Sequence, residues 1–68
     1  MEVYRAECAE ILRRYRIGRI TYTQCVDALA SAVSAVVPTV PPDKMELLQS
    51  TVAANSAALE NMRTGKAN

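Results

Sequence analysis

The sequence predicts an all-α fold: an antiparallel helical hairpin followed by a longer third helix, a small three-helix bundle expected to be oligomeric or part of an assembly. Three observations predict it. Apolar residues recur at spacings of three and four in three separate segments, which is the period of one helix face and not the alternation of a strand. Gly18 and the proline cluster Pro38, Pro41 and Pro42 fall between those segments, where helices are expected to stop. The chain of 68 residues has no Trp or Phe and eleven Ala, so its helices are slender and supply little apolar area each.

The first helix is expected over about residues 2–17. Tyr4, Cys8, Ile11 and Tyr15 follow one another at intervals of 4, 3 and 4, and Leu12 widens the stripe. Gly18 sits where a helix end wants a residue of positive φ, a conformation glycine enters without a Cβ penalty. The second helix is expected over about 22–37. Thr21 followed three positions later by Gln24 fits a capping box, with Ile20 and Cys25 placed as a hydrophobic staple. Its stripe is Tyr22, Val26, Leu29, Val33 and Val36, with a second line of Cys25, Ala28, Ala32 and Ala35 beside it. This doubling makes helix 2 the expected central element, one line for each neighbour.

A stiff corner over 38–42 leads into the third helix, expected over about 44–63, with Asp43 and Glu46 as a second capping box. Gly65 ends it, and the closing GKAN is expected to fray. The line Met45, Leu48, Val52, Asn55, Leu59, Met62 repeats at 3, 4, 3, 4 and 3. At about 30 Å, helix 3 exceeds the hairpin arms, so part of it is expected to overhang them. These six residues are the candidate partner-binding set. Asn55 reads either as a buried polar residue that fixes register with a partner or as the edge of an intramolecular seam.

Charge excludes several functions. The formal net charge is +1, so the chain as a whole has no pull toward polyanions or membrane surfaces. The local exception is Arg13, Arg14, Arg16 and Arg19 around Gly18, a candidate anionic or polar contact. Two readings stand for it. One is a solvated corner, with acids at the start of helix 1, arginines at its end as the helix dipole favours, and Glu10 four positions before Arg14. The other is a phosphate clamp, for which four contacts would give a salt slope of about −3.6, weak for a duplex binder. A helix-turn-helix is disfavoured because helix 2 carries no Arg, Lys or Asn.

Catalysis is not expected. The chain has no His, its carboxylates are scattered and its two glycines form no phosphate loop. Cys8 and Cys25 lack both the spacing of a metal site and a basic activator, and are expected as buried, unpaired thiols about one helical turn apart. No metal, no cofactor and no small-molecule substrate is expected. The N-terminus does not read as a signal peptide, and the longest uncharged run is broken by prolines, so no membrane association and a reducing, cytoplasmic location are expected. The functional expectation is a non-catalytic protein–protein interaction module, self-associating or an accessory or regulatory subunit. The partner is then another protein or a second copy. The alternative is a nucleic-acid-binding accessory protein that uses the arginine corner.

Overall fold

The structure, a computed structural model, describes residues 1–65. Three α-helices occupy Glu2–Arg16 (α1), Tyr22–Val36 (α2) and Met45–Thr64 (α3), and no strand is present among the described residues. The boundaries follow local chemistry. Chain α1 hands over through Ile17 to Gly18 at φ +81°, and the Arg19 amide donates back to the Arg14 carbonyl at 2.8 Å. The Thr21 hydroxyl accepts from the Gln24 amide at 3.1 Å, while the Gln24 side chain accepts from the Thr21 amide at 2.9 Å. The expected capping box is therefore complete. At the far end, Gly65 closes α3 at φ +77°. The fraying expected of the tail concerns Lys66 to Asn68, which lie outside the described residues.

The corner between α2 and α3 departs from expectation. Val37–Thr39 and Pro42–Lys44 each form a single 3-10 turn. Pro41 and Pro42 fix the backbone so that Asp43 lies inside the second turn, and α3 starts at Met45 with no side-chain cap. The Asp43–Glu46 box does not form. The Thr39 hydroxyl instead donates to the Val36 carbonyl at 2.7 Å, satisfying one of the free carbonyls at the end of α2.

Helix α1, and not α2, is the central element. Its backbone lies close to both α2 and α3, whereas α2 and α3 approach each other far less. The reason is side-chain size. Tyr4 and Cys8 of α1 are buried between the other two helices together with Leu48, and around them pack Leu29, Ala32 and Val33 of α2 and Met45 and Val52 of α3. The alanine line of α2 does pack on α1, since Cys25 is fully buried and Ala32 joins the cluster. The neighbouring line of Leu29, Val33 and Val36 packs on the same Tyr4–Cys8–Leu48 cluster, so both lines of α2 converge on α1.

Packing of Tyr4 near Leu48 at one end, and of Arg63 over Tyr22 at the other, sets α1 and α3 parallel with α2 antiparallel to both. The extra length of α3 does not overhang. Met45 is drawn into the cluster at its start, and the Arg63 guanidinium sits 5.4 Å from the Tyr22 ring centre near its end. The Tyr22 ring meets Tyr15 edge to face at 6.1 Å, which pins the turn between α1 and α2. The result is an elongated body of 36 × 21 × 17 Å.

Candidate functional site

Only Tyr4, Cys8, Cys25, Leu48 and Leu59 are buried among the described residues. The chain exposes 4799 Å², against roughly 4200 Å² for a compact folded monomer of its 7.4 kDa mass. Because α2 and α3 splay apart on α1, a groove of about 350 Å³ runs between them. Tyr22, Val26, Leu29 and Val33 form one wall, Val52 and Leu59 the other, and Tyr4 the floor. Asn55, Ser56 and Glu60 give the groove a polar edge. Other crevices flank α1 and are also mainly apolar with polar rims: Val3, Ile11 and Ala28 with Glu7, Glu10 and Arg14 beside α2, and Leu12, Leu47 and Ala54 with Arg5, Ser50 and Thr51 beside α3.

Two polar atoms lie beneath that groove without a hydrogen-bond partner, the Tyr4 hydroxyl and the Asn55 Nδ2. Tyr4 is 3% exposed. Burial pushes its phenol up to about 12, the neighbouring Cys8 thiol adds to the rise, and the adjacent Asn55 amide offsets part of it. Cys25, sealed in the interior, has its thiol pKa raised by burial alone. Both cysteines are free.

The six residues singled out on helix 3 divide into two groups. Leu48 and Leu59, at 3% and 6% exposure, are consumed by the interior of the chain itself. Met45, Val52, Asn55 and Met62 are half-buried, with Val52 and Asn55 on the groove. The heptad-like line of α3 is thus first of all the seam with α1. What sequence reasoning left out of the candidate set is the α2 wall. Tyr22 and Val26 stand 39% and 38% exposed, although the stripe containing them was visible as a helical repeat.

The arginine corner is partly self-neutralised. Glu10 accepts from Arg13 at 2.7 Å and from Arg14 at 3.2 Å. Hydrogen bonding from Arg13 holds the Glu10 carboxyl below its usual range. Glu60 is held low in the same way by its bond with Arg63. Arg16 and Arg19 make no ion pair among the described residues. Charge is nevertheless unevenly distributed along the body. Around the α1–α2 turn, Arg13, Arg14, Arg16, Arg19 and Arg63 outnumber Glu10, Asp27 and Glu60. At the proline end, Glu2, Glu7, Asp43 and Glu46 outnumber Arg5 and Lys44.

The described residues bring together no group of three or more His, Cys, Asp or Glu side chains. No helix among them is long and apolar enough to cross a membrane. The chain matches no protein-family model, and neither a curated protein nor a solved structure is detectably similar to it.

Proposed function

We propose that the chain is a small non-catalytic interaction module of the reducing cytoplasm. It self-associates or serves as an accessory or regulatory subunit through the surface shared by α2 and α3, and needs neither cofactor nor small-molecule substrate. The observation that carries this reading is the open apolar groove between those helices, on a chain that buries only five of its described residues. A body this small hides little surface by folding alone, and a partner laid in the groove would remove Tyr22, Val26 and Leu29 from water together. The free thiols Cys8 and Cys25 support the compartment, where cysteines stay reduced.

The nucleic-acid alternative draws on the arginine corner and is the weaker of the two. With Arg13 and Arg14 engaged by Glu10, Arg16 and Arg19 remain, and two phosphate contacts give a salt slope of only about −1.8 per copy.

A photo-crosslinking side chain placed at Val26 in living cells tests the module reading, with the exposed Ala57 as control position. Protein adducts of defined mass are expected from position 26 and not from position 57. An empty lane at Val26, with the protein expressed and folded, would refute it.

A further inference from the structure

We infer that the occupant of the groove is a second copy of this chain, packed antiparallel with the α2 helices crossing at Ala30; the inference rests on the module reading above. An uncharged stripe runs along α2 and onto Val37, its C-cap. Tyr22, Val26, Ala30, Val33 and Val37 follow at spacings of 4, 4, 3 and 4 and carry no charge. Tyr22, Val26, Ala30 and Val37 are exposed, and Val33 is half-buried. The stripe is nearly symmetric about its middle. Val26 and Val33 flank Ala30 at four and three residues, and Tyr22 and Val37 at eight and seven. A two-fold axis through Ala30 therefore sets Tyr22 of each copy against Val37 of the other and Val26 against Val33, the self-complementarity an isologous interface requires. Ala30 at the crossing has too small a side chain to hold the backbones apart.

Charge favours the same antiparallel arrangement. An antiparallel pair lays the arginine-rich end of one copy along the acid-rich end of the other, whereas a parallel pair stacks like on like. The end of α2 also has no basic residue in its last turn, although a helix C-terminus favours a cation. In the antiparallel pair Arg19 of the second copy, which makes no ion pair among the described residues of its own chain, comes to that end. A second copy is matched in stripe and charge to the surface it covers.

The test uses the full chain. Light scattering across a wide concentration series is expected to show a dimer that dissociates on dilution and with added salt. Val26→Lys, at an exposed position, is expected to keep its helicity and weaken the dimer by about tenfold or more, since two charges would enter an apolar seam. Ala30→Cys is expected to form a covalent dimer rapidly under mild oxidation, because the two thiols meet on the axis. Ser31→Cys, which faces the other side of α2, is expected to do so slowly. A monomer at every concentration, with both cysteine variants oxidising at the same rate, overturns the self-pairing. If that monomer still captures a different protein at Val26 in cells, the module reading survives; if it captures nothing, both fall.

Discussion

Tyr4 shows how one residue can shape this molecule. Its ring fills the space between three helices, and its hydroxyl lies buried beside Cys8 and Asn55 without a well-formed hydrogen bond, a situation that costs up to about 1–3 kcal/mol. Tyr4→Phe keeps the ring and removes the unpaired group, so urea unfolding is expected to show a stability unchanged or raised by about 1 kcal/mol. The same substitution changes the response to alkali. The folded-state pKa of about 12 lies above the ordinary 10.0, so the folded chain holds the phenolic proton more tightly than the unfolded one. The stability this provides is fully present below pH 10 and is lost as the pH climbs through 12. Melting curves of the wild type are expected to fall across that window, and those of Tyr4→Phe to fall less. Cys25, whose raised thiol acts in the same direction from its ordinary 9.0 upward, adds to the fall.

At the scale of elements, two similar sequence signals met different fates. Thr21 with Gln24 and Asp43 with Glu46 have the same spacing, but only the first forms a reciprocal cap. Thr21 follows a glycine turn that leaves its backbone extended at φ −80°, ψ 168°, as a capping residue needs. Asp43 follows two prolines whose geometry starts a 3-10 turn one residue too early. Thr21→Ala is therefore expected to cost about 1 kcal/mol by denaturant titration, and Asp43→Ala to stay within about 0.5 kcal/mol. The three helices, the glycine stops and the Glu10–Arg14 pair were legible because each depends on residues at most four apart. The order of packing was not. Two apolar lines on α2 looked like a central helix, and nothing in α2 itself reveals that both lines converge on α1. The overhang of α3 was misjudged for the same reason, since the contact of Arg63 with Tyr22 joins residues forty-one positions apart.

For the molecule as a whole, the small interior sets the margins. A chain of 68 residues has about 3–10 kcal/mol of stability in all, and truncating a buried leucine costs about 2–5 kcal/mol. Leu48→Ala is expected to leave the isolated chain largely unfolded by circular dichroism, whereas Leu47→Ala, half exposed on the next position, is expected to be nearly neutral. That contrast separates the part of the α3 line that builds the monomer from the neighbours that do not. It also explains why the candidate site was only half legible. The sequence shows that a helical face is apolar, but whether its own chain or another covers that face depends on how three helices share one tyrosine-sized space.

The placement of the three tyrosines has a spectroscopic consequence. With no tryptophan in the chain, ultraviolet absorption and emission come from one phenol sealed near the proline corner and from an edge-to-face pair at the opposite pole. Each pole thus carries its own chromophore. Loosening at one tip of the rod can be followed by its optical signature separately from loosening at the other, with no label added.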